Sequence, residues 1–501
     1  MRQALSVAPK PPVEAAKETA PQTAAPAVPQ KPKAPEKLET LANGEVELTL
    51  STRGAVVKAA KMLKYAQNPG PLSEKNPALV LDFGSAPALA LEGFAGVEPD
   101  ADFTVAEKGT NFVVFANDVV TRRLTLKDGY RIEVEETFAK PDAAAANRLS
   151  LGAVSMGTSK NDILSIDSWD NGGRKPHVVH HGDDGDSPLK SYLVSISGGC
   201  GGRKGAAGLP ERSSVDYLGR QDWIAVKNRF FVSALATCSE PNTGFRATMT
   251  RDLTKTDYVL KSVVAEAAFA GVPAKRAYTF YLGPKKQALL WDLGMKDVME
   301  FGMWRWLCYP LVWVLNLFNS LIPNYGVAII LLTILVRLVF WPLTHKSTVG
   351  MRRMQEIQPK VKEIQKKFKD NPQRLQQETW ALYRENKVNP LSSCLPMLVQ
   401  IPVFIALFTV LRSAVELRYA PFLWISDLSE PEALFASWFP FGGLNILPLA
   451  MAALTVLQSA FTPSSGDNRQ QRMMMIMMPL MMLFFFYNFP SALSLYWMLS
   501  T

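Results

Sequence analysis

The sequence predicts a polytopic α-helical membrane bundle joined to a large β-sandwich-like domain that lies outside the cytoplasm. Three observations carry this. Residues 43 to 285 run in short apolar and polar alternations broken by Gly, Asp and Asn, the signature of strands and turns. Beyond residue 323 come four long apolar runs, roughly 326 to 344, 391 to 412, 442 to 462 and 473 to 500. Each is about the 20 residues that a helix needs to cross a hydrocarbon slab. Charge is also segregated, with eleven Lys or Arg against five Asp or Glu in residues 345–390, and two against four in residues 391–441. In a membrane protein this asymmetry is the positive-inside signal rather than a nucleic-acid footprint, so no direct DNA binding is expected.

Taken from the N-terminus, residues 1–42 are Ala, Pro, Lys, Glu and Gln with few large apolar side chains. Such a composition cannot bury a core and reads as a disordered tether. It holds no hydrophobic segment, and a tether joined to nothing suggests an anchoring helix upstream of residue 1. In the β domain, residues 43–285, stretches such as VELTLSTRGAVVKAAKML and TRRLTLKDGYRIEVEETF read as strands. The segment 168–210 is polar and glycine-rich. There His177, His180 and His181 stand beside Asp183 and Asp184, and an exposed polar loop is preferred to a metal site. No zinc-type cysteine spacing, glycine-rich phosphate loop or HExxH is present, so neither metal nor cofactor is expected. Cys200 and Cys238 fall in the same domain, and their spacing leaves open whether they pair. Cys308 and Cys394 lie in apolar helical surroundings and read as small buried hydrophobes.

At about residue 286 the periodicity becomes helical. Residues 286–322 combine Trp304, Arg305, Trp306, Tyr309 and Trp313 with aliphatic side chains. Hydropathy permits either a spanning helix or an amphipathic helix in the interface, and the second is preferred because residues 323–325 are a very short turn. Residues 323–501 form the membrane core. Its basic loop 345–390 belongs in the cytoplasm, and the loop 413–441 belongs outside. The β domain precedes the first clear span, so it too lies outside, in a periplasm if the cell has one.

Within the basic loop Met354, Ile357, Val361, Ile364 and Phe368 recur at spacings of three and four, one stripe of an amphipathic helix. Asp370-Asn371-Pro372 interrupts, with Asn371 placed as a cap and Pro372 at the first position of a second helix. The two helices make a hairpin over 350–388. It serves as a connector, or as a cationic docking surface for a ribosome, an incoming chain or anionic lipids.

Arg337 sits inside the first apolar run. Snorkelling to the cytoplasmic end, about 10 Å away by helical rise, is the plain account. Yet the spans also offer Thr333, Gln400, Gln458 and Asn488, and intramembrane polar groups normally face a bundle interior or an aqueous cavity. A water-filled hollow whose fixed charge is positive is therefore the preferred reading, against scattered helix–helix hydrogen bonds. The last run has seven methionines between 473 and 482 and then FFFY. It is packing filler, or an adaptable surface for clients of varied sequence. A solute or ion transporter using Arg337 as counter-charge is the competing function.

The stretches NYGVAIILLTILVRLVFWPLTHKS, MRRMQEIQPKVKEIQKKFKDNPQRLQQETWALYRENKVNPLSSCLPMLVQIPVFIALF, VELRYAPFLWISDLS and NFPSALSLYW strongly resemble the YidC/Oxa1/Alb3 family of membrane protein insertases. DWIAVKNRFFVSALA and YLGPK resemble the periplasmic domain of its Gram-negative bacterial members. The resemblance implies a non-enzymatic insertase and chaperone of the inner membrane, acting alone or with the Sec translocon on nascent membrane proteins, and functional as a monomer. It places 303–322 in an amphipathic periplasmic helix. Its groove, open to the cytoplasm and to lipid, puts the family arginine at Arg337; Thr333, Gln400, Gln458, Asn488 and Trp497 are expected from composition at groove- or slide-facing positions. The extra N-terminal anchor of the Gram-negative members matches nothing in this chain.

Overall fold

Short alternating strands dominate the first half of the molecule. The computed structural model describes residues 35–84, 86–93, 96–155, 164–169, 177–180, 211–251, 260–369, 371–386, 395–435, 443–461 and 468–500. Residues 36–501 form one compact unit. His181, Asp183, Asp184, Cys200 and Cys394 lie outside the described residues, as does most of the tether.

Strands β1 (Leu38–Ala42), β2 (Val46–Ser51), β3 (Val56–Ala66), β4 (Ala78–Asp82), β5 (Ala88–Glu92), β10 (Asn147–Leu151), β11 (Val154–Ser155), β14 (Arg212–Leu218), β17 (Gly244–Arg251) and β18 (Leu260–Phe269) make one antiparallel sheet. A second contains β6 (Thr104–Lys108), β7 (Phe112–Ala116), β8 (Val120–Leu126), β9 (Arg131–Phe138), β12 (Ser165–Trp169), β13 (His177–His180), β15 (Trp223–Lys227), β16 (Phe231–Cys238) and β19 (Lys275–Pro284). The sheets face each other, β10 against β16 and β15 against β18. In β9 Ile132, Val134, Glu136 and Phe138 are buried while the residues between them are exposed, the period-two pattern of a strand with one buried face. β1 begins within the stretch whose composition reads as tether. Its alternation LETLA leads into an Asn43-Gly44 turn, where the Asn43 side chain accepts from the Glu45 and Val46 amides at 3.1 Å, and a hairpin needs no more.

Glu136 is the one polar residue on that inner face of β9, and it is fully enclosed. Arg276 pairs with it at 2.6 Å, Arg122 at 3.1 Å, and the Tyr278 hydroxyl donates to it at 2.8 Å. Burial pushes the Glu136 carboxyl up, but Arg276 and Arg122 together hold it below the usual range. Arg122 also donates to the carbonyls of Ala55 and Leu89 at 2.9 and 2.8 Å. Both residues are left-handed, with φ of 52° and 66°, so one arginine ties the second sheet to two irregular points of the first.

The chain then turns helical. Helix α1 (Gln287–Asp292) leads through short 3-10 turns to α2 (Arg305–Leu321). In α2 Cys308, Leu311, Val312 and Leu315 are buried, while Trp306, Trp313, Leu317 and Leu321 are exposed, as expected of an amphipathic helix. Helix α3 (Tyr325–Lys367) follows, capped by Asn324, whose side chain accepts from the Val327 amide. At its start Gly326 seats the Phe422 ring so closely that a β-carbon there would lie 2.0 Å from it.

α3 is a single helix of 43 residues, about 65 Å long at 1.5 Å per residue. The first apolar run and the first arm of the basic hairpin are thus continuous. A lone glycine such as Gly350 costs a helix only about 1 kcal/mol, and nothing else between 345 and 350 breaks it. Helix α4 (Pro372–Glu385) returns along it, with Pro372 first and the Asn371 side chain accepting from the Arg374 amide at 3.1 Å. In the hairpin Ile357 and Val361 are buried, and Met354, Ile364 and Phe368 half-buried. Helices α5 (Leu395–Ser413), α6 (Ile446–Phe461), α7 (Asn468–Phe486) and α8 (Ser491–Ser500) complete the chain. The last apolar run is therefore two helices. Pro490 has no amide to continue α7 and disfavours helical geometry at Phe489, so the chain breaks there and restarts.

One described helix, Tyr325–Met354, is long and apolar enough to cross a membrane; shorter apolar helices are Gln400–Ser413, Ile446–Gln458 and Met477–Phe486.

Candidate functional site: an exposed arginine in an apolar helix

α3 presents Arg337 on its exposed side, flanked by exposed Ile334, Leu335, Leu338 and Val339. Its inner side packs Ala328, Ile329, Leu332 and Val336 into the core. The alternation is a consequence of helical period: residues 329, 332, 333 and 336 share the inner face, and 337 falls beside it.

Helix α8 is the neighbour that matters. It packs on α3, and its Tyr496 hydroxyl accepts a hydrogen bond from Gln400 Nε2 of α5 at 2.9 Å. The three helices α3, α5 and α8 pack on one another, and the Gln400–Tyr496 bond joins α5 to α8. Tyr496 was not singled out by sequence pattern, because a tyrosine among SALSLYW reads as one more apolar position. The same helix buries Ser494 with its hydroxyl lacking a hydrogen-bond partner.

The other candidate residues are placed differently. Thr333 is 3% exposed, and its hydroxyl donates to the Ile329 carbonyl one turn back at 2.7 Å. Trp497 is half-buried in an aromatic cluster, 5.1 Å from Phe404 and 5.3 Å from Phe486. Gln458 is exposed near the end of α6, and Asn488 is exposed in the turn between α7 and α8. Gln400 is thus tied to Tyr496 of α8, while Gln458 and Asn488 stand exposed on other elements. Along α7, Met477, Met478, Leu480, Met481, Phe484 and Phe485 are all exposed.

At the far end of these helices the β domain is fastened to the segment after α5. Arg229 pairs with Glu430 at 2.6 Å and donates to the carbonyls of Ser429 and Arg412 at 2.6 and 2.7 Å. Arg418 donates to the Ala66 carbonyl at 2.9 Å. The same segment holds the bundle: Ser491, the first residue of α8, bonds the Glu430 carbonyl, and the Glu432 carboxylate accepts from the Ile446 and Leu447 amides that open α6. A carboxylate there satisfies orphan amides and complements the helix dipole.

The comparisons with known proteins agree along the whole length of the chain from residue 39. Residues 39–314 match the family described as the YidC periplasmic domain, and residues 317–501 the family described as 60Kd inner membrane protein. The membrane protein insertase YidC of Prosthecochloris aestuarii is 30% identical over 483 residues, which cover 93% of this chain and 80% of that one. That of Syntrophobacter fumaroxidans is 43% identical over 286 residues, covering 56% of this chain and about half, 51%, of the relative. A crystal structure of an active YidC insertase with its first transmembrane domain resolved is 19% identical, with a TM-score of 0.37, and covers 93% of this chain and 92% of that one. The chain belongs to the YidC family of membrane protein insertases.

Proposed function

We propose that this chain inserts nascent membrane proteins into the inner membrane, as insertase and chaperone, through a hydrated groove that opens to the cytoplasm beside Arg337. The observation that carries this is the exposed Arg337 in the apolar part of α3, a helix that packs against α5 and α8, which the Gln400–Tyr496 hydrogen bond joins. An exposed cation in an apolar helix is tolerable in hydrocarbon only at roughly +2.5 to +3.5 kcal/mol; water in a groove removes that cost. Such a groove shortens the apolar path for the polar extracellular segment of a client. Attraction to an acidic client residue is about 4 kcal/mol at 4 Å and an effective dielectric near 20. The client's apolar helix then leaves along the exposed Met and Phe side of α7 into lipid, driven by apolar transfer.

In this reading α3, α5, α6 and α7 with α8 are the spans of a multi-pass protein, α2 lies in the periplasmic interface and the β domain is periplasmic. Thr333 and Trp497 shape the groove wall from behind, and Gln458 and Asn488 line the slide. The hairpin 350–388 meets the ribosome and anionic lipid on the cytoplasmic side, and the Sec translocon is a lateral partner. The test is reconstitution in vesicles with single-span clients whose translocated segments are acidic or neutral. Insertion of acidic clients that falls with Arg337→Ala supports the reading; solute accumulation without client insertion rejects it in favour of transport.

A further inference from the structure

A cavity of about 340 Å³ lies between the end of β3 and the ends of α3 and α5, lined by Tyr65, Lys286, Tyr325, Glu416, Arg418 and Tyr419 among others. Its volume equals the liquid share of about eleven waters. From its polar walls we propose that it holds the headgroup of a membrane phospholipid, the phosphate against Lys286 and Arg418 and an ammonium against Glu416 and the tyrosine rings. This rests on the membrane reading above, which puts the cavity at headgroup depth: Tyr325 opens the long apolar helix, and Glu416 stands three residues beyond the end of α5.

Each wall group has its chemistry held in place. The Arg418 guanidinium is fixed by the Ala66 carbonyl at 2.9 Å and lies 4.1 Å over the Tyr419 ring. A guanidinium so oriented suits phosphate oxygens, which accept charge-assisted hydrogen bonds. Lys286 Nζ is 5.9 Å from the Tyr65 ring. Glu416 lines the same cavity; burial pushes its carboxyl up, against the smaller opposing pulls of a backbone hydrogen bond and the Lys286 charge. A purely anionic headgroup satisfies Lys286 and Arg418 but brings no cation of its own to the Glu416 carboxyl. A headgroup with both a phosphate and a primary ammonium meets opposite charge at both ends, and tyrosine faces attract cations as well. A quaternary ammonium has no N–H to donate to a carboxylate, so an ethanolamine headgroup is preferred to choline.

The experiment places the full chain in nanodiscs of equal parts phosphatidylethanolamine, phosphatidylglycerol and phosphatidylcholine and counts retained lipid by native mass spectrometry. Retention of phosphatidylethanolamine about tenfold above either other lipid is expected, the equivalent of one 1.4 kcal/mol interaction. Glu416→Gln erases the preference, and Lys286→Gln lowers retention of all three, with unchanged thermal unfolding as the control for folding. Equal retention of the three lipids by the unsubstituted chain, or a preference that survives both substitutions, overturns the site. Soluble phosphoethanolamine and inorganic phosphate are added in parallel; release of the bound lipid by either assigns the cavity to a soluble phosphate and also overturns it. A chain that inserts clients but retains no lipid loses this site alone, whereas a chain that fails to enter nanodiscs contradicts the membrane reading.

Discussion

An arginine a dozen residues into an apolar helix is costly in hydrocarbon unless water or a polar group reaches it, and Arg337 lies on an exposed side of α3. Arg337→Ala should slow insertion of clients with acidic translocated segments by about tenfold, one 1.4 kcal/mol interaction, and neutral clients far less. Arg337→Lys keeps the charge and should retain most activity. Tyr496→Phe removes the acceptor of the Gln400 amide and should cost about 1–3 kcal/mol of stability, the cost of leaving a partly buried donor unsatisfied, read from the thermal midpoint. Away from the bundle, Lys285 is buried among Lys227, Glu300, Asp167 and Arg229, and burial followed by the Lys227 charge lowers its pKa from 10.5 to about 7. Between those values the unfolded chain holds a proton that the folded one lacks, so stability should rise as pH climbs from 7 toward 10, by at most about 1.4 kcal/mol per unit. Below 7 both states are protonated and the cost of burying the charge is present in full. Urea midpoints at pH 7 and 9 check this, and Lys285→Met should flatten the rise.

Among the elements, the segment 413–435 links two kinds of structure, held to the β domain by Arg229 and through its own Arg418, and to the bundle by Ser491 and the α6 amides. Glu430→Gln leaves the Arg229 guanidinium buried without its carboxylate, and losses of this kind cost about 3–5 kcal/mol. Hydrogen exchange should show protection falling over 413–432 while β8 and β9 stay protected; unchanged protection contradicts the fastening role. Elements of this sort were legible in the sequence to different degrees. Period-two alternation marked β8 and β9, and Asn371-Pro372 marked the start of α4, because each signal is local. The union of the first span with the hairpin arm was hidden, since His345 to Gly350 look like a loop by charge yet contain no strong helix breaker. The break at Asn488–Pro490 was hidden inside an apolar run. Tyr496 and the Glu136 triad were illegible because their partners are distant in sequence: Gln400 is 96 residues from Tyr496, and Arg276 is 140 from Glu136.

For the molecule as a whole, the residues proposed for the groove all lie downstream of residue 323, outside the β domain. Deleting most of residues 50–280 should therefore leave much of the insertion of a small client in vesicles, and complete loss would make the β domain a working part of the groove. The scheme depends throughout on solvent reaching one side chain within the lipid-spanning region. The direct measurement is thiol labelling of Arg337→Cys in sealed membranes with a membrane-impermeant reagent, applied to each face in turn. Labelling from the cytoplasmic face with none from the periplasmic face is the expected outcome; a thiol that reacts from neither face, while a lipid-soluble reagent reaches it, means that the position is dry and that no hydrated groove exists there.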